Sequence, residues 1–170
     1  DSGQLVVKSG QTELDQVAIH NWDGQVAQAR MDDILSAHYS DGSKVDAVLS
    51  PYDGLSIGIL ASLKAVGYGS PDLPFPIITG QDCEIPSVKS IIAGEQTQSV
   101  FIDTRALGQA CVEVVHQCIT KGEADVNLPE AFDNGAKKVS AYGLSAQSVD
   151  ITNWKELLID SGYLTEEELQ

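Results

Sequence analysis

The sequence predicts an α/β fold in which helices pack on a parallel sheet. Two observations lead to this fold class. Short apolar runs alternate with longer amphipathic stretches, which is typical of strand–helix–strand units. Glycines follow the amphipathic stretches at the points where helices are expected to end. Because parallel strands are linked through helices, the order of elements indicates a layered α/β lobe.

The predicted strands are short runs rich in Val, Ile, Leu and Phe. They cover residues 4–8, 45–50, 75–79 and 97–102. The first is followed by Ser9-Gly10 and the third by Gly80, residues that favour turns. Runs of this length, bounded by turn residues, are typical of strands buried in a parallel sheet.

The predicted helices are stretches in which apolar residues recur at helical spacing. They cover residues 23–38, 55–66, 86–93 and 104–121. Asp23 is expected to cap the first helix, because its carboxylate can accept hydrogen bonds from the free N–H groups of the first turn. Gly67, Gly94 and Gly122 are expected to end the other three.

After Gly122 the rhythm of the sequence changes. Residues 127–135 are predicted to be a polar, proline-containing connection, and residues 137–149 contain extended, weakly alternating sequence. A final amphipathic helix is predicted over residues 153–160. The acidic tail at 164–170 is expected to start a short helix on a solvated surface.

The composition is that of a soluble globular protein. Of the 170 residues, 42% are hydrophobic and 21% are charged, and a chain of this length ordinarily forms one domain. The formal net charge of −15 repels phosphate, so we expect neither nucleic acid nor an anionic membrane surface as a partner. A neutral or cationic ligand suits this charge, although solubility is the plainer explanation.

The cysteines and the start of the chain say little about function. Cys83, Cys111 and Cys118 lack metal-binding spacing, and Cys111 and Cys118 lie seven apart in a helical stretch, so both are expected to face the core. No apolar run reaches transmembrane length and no signal peptide is evident. The start without Met, at Asp1-Ser2, looks like a cut inside a larger protein.

Polar residues gather where the predicted strands end. Ligands of parallel α/β sheets bind beyond the carboxyl ends of the strands. The segments concerned are residues 50–54, 80–83 and 101–104, together with 20–23 ahead of the first long helix. On the predicted topology they meet at one rim of the sheet. Three kinds of functional site are possible at this rim: a catalytic nucleophile, a metal site and a clamp for a ligand.

A catalytic cysteine at Cys83 would need a nearby base. Of the three histidines only His20 is expected near the rim. Asp82 and Glu84 flank Cys83 and would raise the pKa of its thiol, which disfavours the reactive thiolate. The sequence therefore argues against this nucleophile.

An acidic metal site is the second kind. Asp53, Asp82 and Asp103 stand at three strand ends and could hold Mg²⁺. A phosphoryl-transfer site would also need a phosphate cradle or a placed lysine, and the sequence has no G-x-x-x-x-G-K-[ST] motif. We expect no metal, no cofactor and no catalytic residue.

A clamp for a sugar is the third kind. Carboxylates pair with the vicinal hydroxyls of a sugar, and an aromatic ring stacks on its C–H face. Trp22 with Asp53 and Asp82 is such a set, and Tyr52 could add a ring edge or a hydroxyl. Each also has a purely structural interpretation: Trp22 and Tyr52 could pack in the core, Asp53 could cap a helix, and Asp82 could brace a turn.

Three long stretches carry a resemblance to a known family. They read KVDAVLSPYDGLSIGILASLKAVGY, ITGQDCEIPSVKSIIAGEQTQSVF and WDGQVAQARMDDIL, and the chain closes on NWKELLIDSGYLTEEEL. From about Leu5 onward the chain resembles the C-terminal lobe of periplasmic sugar-binding proteins. These are the solute receptors of ABC importers, of the xylose-binding and ChvE-like multiple-sugar-binding type.

The resemblance implies the type I periplasmic binding protein fold. In it, two three-layer, Rossmann-like lobes are joined by three hinge strands and close on a monosaccharide, a pentose or a hexose. By position, Trp22 matches the aromatic that stacks on the sugar, and Asp82 matches the carboxylate that grips hydroxyls. Tyr52, followed by Asp53, stands where relatives often have an Asn, and Ile102 where they often have a Lys or Gln. Each departure removes one expected polar contact.

The resemblance also implies an incomplete lobe. Residues 1–103 match the C-terminal sugar-binding lobe without its first strand and helix. Residues 104–135 match a helix and connection of the N-terminal lobe, and residues 136–170 match the hinge return and the C-terminal helix. The missing N-terminal lobe is then a partner. The uncovered apolar faces are expected to cause self-association or a rearrangement of the 104–121 helix.

The leading interpretation is an extracytoplasmic binding protein that delivers a monosaccharide to ABC permease subunits and performs no chemistry. It would be periplasmic or extracellular, with its signal peptide removed, and a membrane-associated lipoprotein in a Gram-positive host. The alternative is the effector-binding core of a sugar-responsive transcription regulator, which shares the two-lobed fold. An α/β enzyme built on Cys83 or the acidic rim is a third interpretation.

Overall fold

A computed structural model describes residues 3–170, and the chain divides into two compact units. Unit 1 runs up to Val100 and includes Ser148–Gln170, and unit 2 is Phe101–Gln147. The start at Asp1 and Ser2, which suggested a cut in a larger protein, lies outside the described residues. Among residues 3–170, no helix has the length and apolar character needed to cross a membrane.

The elements alternate between helices and short strands, as the sequence predicts. In chain order the helices are α1 (Leu14–Val17), a 3-10 turn (His20–Trp22), α2 (Gly24–His38), α3 (Asp53–Ala65), α4 (Ile85–Ile92), α5 (Thr104–Lys121) and a π-helix (Lys155–Asp160). The strands are β1 (Ala47–Val48), β2 (Ile77–Ile78), β3 (Gln98–Phe101), β4 (Leu128–Asp133), β5 (Lys138–Ala141) and β6 (Gln147–Asp150).

A parallel sheet organises unit 1. β1 pairs in parallel with β2, and β3 pairs with β6. Beyond β2, Gln81 forms a parallel bridge with Val100, and the Val100 N–H donates to the Gly80 carbonyl at 2.9 Å. The carboxyl ends of β1, β2 and β3 therefore lie side by side, which confirms the predicted α/β lobe and places the polar strand ends together.

The core of unit 1 lies between the sheet and the pair α2–α3. Its buried residues are Met31, Leu35, Val45, Leu60, Leu63, Tyr68 and Ile78. The Tyr68 hydroxyl accepts a hydrogen bond from the Val45 N–H at 2.7 Å, so the one polar atom of this aromatic ring is satisfied inside the core.

Small residues let α2 and α3 approach backbone to backbone. A Cβ added at Gly58 would stand 2.0 Å from the Gly24 carbonyl oxygen, and one at Gly24 would stand 2.6 Å from the Gly54 oxygen. Ser62 adds a hydrogen bond to the Gln28 carbonyl at 2.9 Å. This contact fixes α2, and hence the turn before it, against the strand end that precedes α3.

The strand predicted at residues 4–8 does not form. These residues make bends and turns, and Leu5 is 91% exposed. Within residues 3–170 they pair with no other strand, and an isolated strand is not stable in water. Leu49, directly after β1, and Ile77 on β2 are 89% and 58% exposed, so one face of this strand pair is open to solvent.

Unit 2 consists of α5 and a β-hairpin. Asp103 caps α5 by accepting from the Arg105 N–H at 2.9 Å, and Gly122 ends it at φ 83°, as the sequence predicts. The polar connection predicted at 127–135 is wrong, because β4 pairs antiparallel with β5 there. Pairing of Phe132 with Val139 outweighs the turn-like composition of the segment.

The prediction that Cys111 and Cys118 face the core is also wrong. Both thiols are exposed, and none of the described α5 side chains is buried. Val112 and Ile119 on the same helix are 71% and 79% exposed. Spacing of seven identifies residues on one helix face, but not whether this chain supplies anything to cover that face.

The end of the chain differs in detail from the prediction. The helix expected at 153–160 is a π-helix at Lys155–Asp160, beginning after Trp154. The acidic tail forms the helix start that the sequence predicts, although it extends for only one turn. There the Thr165 N–H donates to the Glu168 carboxylate at 2.8 Å and the Glu168 N–H donates to the Thr165 hydroxyl at 3.3 Å, the reciprocal bonds of a capping box.

Gly58→Ala tests the α2–α3 contact. The added methyl overlaps the Gly24 carbonyl, so we expect urea denaturation to show a loss of about 1–3 kcal/mol in the free energy of unfolding. Gly108→Ala in α5 is the matched control, since nothing lies within 4 Å of its added Cβ. It should be neutral or stabilising by about 0.5–1 kcal/mol. Equal effects of the two substitutions would contradict the close approach of α2 and α3.

Candidate functional site

Trp22 stands exposed on a strained turn. Asn21 and Trp22 both adopt left-handed backbone angles, with φ of 54° and 56°, in the 3-10 turn before α2. The Trp22 side chain is 59% exposed, and its ring meets the Tyr52 ring edge to face at 6.1 Å between centroids. An aromatic face held open in this way is available to a ligand, because its neighbour covers only part of it.

Asp82 occupies a second strained turn, just after β2. Asp82 and Cys83 have φ of 97° and 52°, in the region that non-glycine residues seldom adopt. The Asp82 residue is exposed, and within residues 3–170 its carboxylate accepts no hydrogen bond and joins no ion pair. Strained backbone around an unpartnered carboxylate is typical of a binding site.

Three consecutive N–H groups fix this turn. The Asp82 N–H donates to the Val100 carbonyl at 2.8 Å, and the Cys83 N–H donates to the Ser99 hydroxyl at 3.1 Å. The Glu84 N–H donates to the Asp53 carboxylate at 2.9 Å. The backbone of Asp82 is therefore held from below by β3 and by the start of α3, while its side chain is left free.

Asp53 is the buried centre of that network. It is 0% exposed, and besides Glu84 N–H its carboxylate accepts from the Ser99 hydroxyl at 2.8 and 2.9 Å and from Gln96 Nε2 at 3.1 Å. Burial raises the pKa of the Asp53 carboxyl, and the hydrogen bonds from Ser99, Glu84 and Gln96 oppose that rise. Because both carboxylate oxygens accept hydrogen bonds from the protein, Asp53 supports the site from inside and is not exposed to a ligand.

Gly80 is required by the same network. A Cβ at Gly80 would lie 2.0 Å from Asp53 Oδ1 and 2.5 Å from Gln96 Nε2. Any side chain at this position would displace the carboxylate. The glycine that ends the third predicted strand is thus there to let Asp53 approach the sheet.

Tyr52 connects the two exposed residues. Its hydroxyl donates to the Glu84 carboxylate at 2.8 Å, and its ring lies against Gly54, where an added Cβ would come within 2.5 Å of it. The hydrogen bond to Glu84 and burial both raise the pKa of the Tyr52 hydroxyl, and the nearby Asp82 charge raises it further. Tyr52 is half-buried, and its ring plane stands at 81° to that of Trp22.

Cys83 faces inward. It is 2% exposed, and burial, with the charges of Asp53 and Asp82, raises the pKa of its thiol to about 12. Its Sγ lies 3.8 Å from the Ser99 carbonyl, a weak S–H hydrogen bond. The direction of this pKa shift is the one the sequence predicts, and it leaves Cys83 without nucleophilic character.

The acidic residues do not assemble into a metal site. Among the described residues, 3–170, no three His, Cys, Asp or Glu side chains are placed to hold a metal ion. Asp103 is paired with Arg105 at 2.7 Å, and that hydrogen-bonded pairing lowers the pKa of Asp103 to about 2. Asp53 is fully enclosed by protein donors.

Of the four residues predicted to bind ligand, Trp22, Tyr52 and Asp82 share the solvent-facing side of these strand ends. Asp53 lies beneath them, fully buried. Sequence reasoning missed the donors Ser99 and Gln96. Ser99 lies inside the strand-like run 97–102 and Gln96 just before it, and a polar residue at either place does not tell an inward from an outward side chain. Glu84, which the sequence presents only as a neighbour of Cys83, is a further residue that the fold brings to the site.

Comparison with known proteins gives a consistent result. Residues 4–124 match the profile described as the periplasmic binding protein domain. The chain is 58% identical to the multiple sugar-binding periplasmic protein SbpA of Azospirillum brasilense, over 98% of this chain and 46% of that protein. It is 53% identical to the multiple sugar-binding periplasmic receptor ChvE of Rhizobium radiobacter, over 100% of this chain and 48% of that protein.

A solved structure agrees with the fold. The chain superposes with a TM-score of 0.87, at 44% identity, on an ABC transporter solute-binding protein from Clostridium phytofermentans that holds β-D-glucose. The match covers 97% of this chain and 50% of that protein. The chain thus spans about half the length of these relatives.

Ser99→Ala tests the buried network. Removing the hydroxyl leaves the Cys83 N–H without its acceptor and takes one donor from the Asp53 carboxylate, so we expect a loss of about 1–3 kcal/mol in the free energy of unfolding. Ser148→Ala on the neighbouring strand β6 is the control. Its exposed hydroxyl makes one long bond of 3.3 Å, and its loss should change stability by less than about 0.5 kcal/mol. A Ser99→Ala variant as stable as the control would rule out the network.

The three cysteines allow an internal test of burial. At pH 8 a thiol with a pKa of about 12 is roughly one part in ten thousand thiolate, so Cys83 should resist iodoacetamide in the folded chain. The exposed Cys111 and Cys118 should be alkylated, and Cys83 should react only after denaturation. Peptide mass spectrometry gives the label at each site. Labelling of Cys83 at the rate of the other two would contradict its enclosure.

Proposed function

The chain belongs to the periplasmic binding protein domain family, and from that premise we propose that it is the sugar-gripping C-terminal part of an extracytoplasmic solute receptor. The receptor captures a monosaccharide, a pentose or a hexose, and delivers it to the permease subunits of an ABC transporter. It carries out no reaction on the sugar. The names and bound sugar of the relatives at 58% and 44% identity support this assignment.

The observation that carries the proposal is the free carboxylate of Asp82 on a rigid turn. The fold holds this residue through the Asp82 N–H to Val100 and the Cys83 N–H to Ser99, and it leaves the charged group unpaired in solvent, where a ligand can reach it. A sugar hydroxyl can donate to it, and a charge-assisted hydrogen bond of this kind is stronger than a neutral one.

The second half of the grip is aromatic. Trp22 is 59% exposed, and its ring contacts the Tyr52 ring in a perpendicular pair with 6.1 Å between centroids. The C–H face of a pyranose or furanose ring stacks on such a surface. We propose that Trp22, Tyr52 and Asp82 contact the sugar and that Asp53 positions Asp82 from beneath.

The cleft needs a second wall. We propose that residues 1–103 and 136–170 belong to the C-terminal lobe and that residues 104–135 belong with the N-terminal lobe of the full-length receptor. Relatives of about twice the length and the separate packing of Phe101–Gln147 support this division. Lobe closure would exclude water from the sugar, so this chain alone should bind it weakly at most.

The proposed location follows from the relatives, which are periplasmic proteins. We infer that the receptor works outside the cytoplasm, in the periplasm or at the cell surface. In a host with a single membrane it would be held there as a lipoprotein.

Isothermal calorimetry on the full-length protein tests the sugar site. With a panel of pentoses and hexoses, Asp82→Ala should weaken binding of the best sugar by about tenfold to a hundredfold, because a hydrogen bond to a charged group is lost. Trp22→Ala should weaken it similarly, whereas Trp22→Phe should retain most of the affinity.

Asp72→Ala serves as the matched control for the lost charge, since Asp72 is exposed in the loop ahead of β2. It should bind as the parent does. If Asp82→Ala and Trp22→Ala both bind the best sugar as tightly as the parent, the assigned site is wrong.

Self-association of the 170-residue chain is the further expectation, because Val112 and Ile119 leave an apolar stripe on α5 open to water. Sedimentation velocity should show dimers or larger species. Replacing both residues by Lys should shift the population toward monomer, while Gln109→Lys, which adds a charge at an exposed polar position of the same helix, should not. A monomeric parent chain over the whole concentration range would sink the idea.

A further inference from the structure

The hydrogen of the Tyr52 hydroxyl is already used. Its oxygen lies 2.8 Å from Glu84 Oε1, and a carboxylate can only accept, so Tyr52 is the donor. The Tyr52 oxygen keeps lone pairs but has no hydrogen left for a ligand. A tyrosine of this kind can accept a hydrogen bond from a sugar and cannot give one.

The groups around this hydroxyl are also hydrogen-bond acceptors, and they carry negative charge. Glu84 retains a second carboxylate oxygen, and within residues 3–170 Tyr52 is its only side-chain hydrogen-bond donor. Asp82 adds another free carboxylate. The charges acting on the Tyr52 hydroxyl are those of Glu84, Asp82 and Asp53, all negative.

We propose that Tyr52, Glu84 and Asp82 form an acceptor-only edge of the binding cleft, and that Glu84 sets its polarity by holding the Tyr52 hydrogen. This inference rests on the proposed sugar-binding function and goes beyond it. A ligand hydroxyl that reaches the Tyr52–Glu84 pair must donate its own hydrogen. A substituent that can only accept faces a negative charge there and is rejected.

The backbone makes Glu84 suited to this role. Its N–H is bound to the buried Asp53 carboxylate at 2.9 Å, so the residue cannot swing away from the strand end. Its side chain turns back to Tyr52, whose ring in turn touches Trp22. Glu84 is therefore a positioning residue for Tyr52 as well as the source of the charge.

Fluorinated sugars test the polarity directly, because fluorine replaces a hydroxyl in size but has no hydrogen to donate. The full-length protein is titrated with D-glucose, D-galactose, D-xylose and L-arabinose, and then with the monodeoxyfluoro derivatives of the tightest binder. In the parent we expect derivatives at positions facing this edge to bind about tenfold or more weakly than the parent sugar.

Glu84→Gln is the decisive variant. The amide keeps an acceptor for Tyr52 but removes the charge and adds a donor. The fluorine penalty, which is the factor by which fluorination at one ring position weakens binding, should therefore fall by about threefold or more. Tyr52→Phe leaves the Glu84 carboxylate in place, so there the penalty should persist. A merely structural role for Glu84 would weaken all sugars alike and leave these ratios unchanged. Glu167→Gln, at an exposed position in the acidic tail, is the charge-matched control and should change no ratio.

Each result separates the two claims. If the protein binds a sugar and the fluorine penalties are equal in the parent and in Glu84→Gln, the acceptor-only edge is wrong. The proposed receptor function would still stand. A penalty that disappears in Tyr52→Phe but persists in Glu84→Gln also overturns the acceptor-only edge, because the Tyr52 oxygen alone, and not Glu84, would then set the polarity of the edge. Failure of every sugar in the panel to bind the parent overturns the proposed function, and this inference with it.

Discussion

The Asp53 carboxylate is the interaction on which the rest of the site depends. It stands at the first residue of α3, fully buried, and receives donors from Ser99 and Gln96 on one side and from the Glu84 backbone on the other. A buried carboxylate is costly unless it is completely hydrogen-bonded, and here every donor belongs to the β3 side of the sheet or to the turn after β2. One side chain therefore ties the start of α3 to β3 and to the turn after β2.

Backbone strain is concentrated in the turns that carry the proposed ligand-binding residues. Among the described residues, left-handed non-glycine backbone is confined to Asn21, Trp22, Asp82, Cys83 and Glu130, and four of these five stand in the turns that carry Trp22 and Asp82. Unfavourable backbone angles of this kind persist only where surrounding contacts over-determine them. The Asp53 network does this for Asp82, and the glycine contact of α2 with α3 does it for the turn at Trp22.

The alternation of strands and helices was predictable because it follows from local periodicity and from glycine at helix ends. The same holds for Asp23 and Gly122, whose roles depend on the nearest turn of chain alone. The strand at 4–8, the core-facing cysteines and the polar connection at 127–135 were mispredicted, since each depends on what packs against the segment. Asp53 and Asp82 show the limit most sharply. In sequence both are acidic residues at strand ends, and only the fold tells the enclosed carboxylate from the free one.

The left-handed turn at Asp82 has a consequence for how such a site can change over time. At φ 97° few side chains are tolerated, and Asp, Asn and Gly are the residues that adopt positive φ most readily. The backbone conformation therefore restricts which residues can replace Asp82, whether or not a ligand is bound. It favours a carboxylate, an amide or no side chain at this position, so new preferences for ligands are expected to arise chiefly from its neighbours.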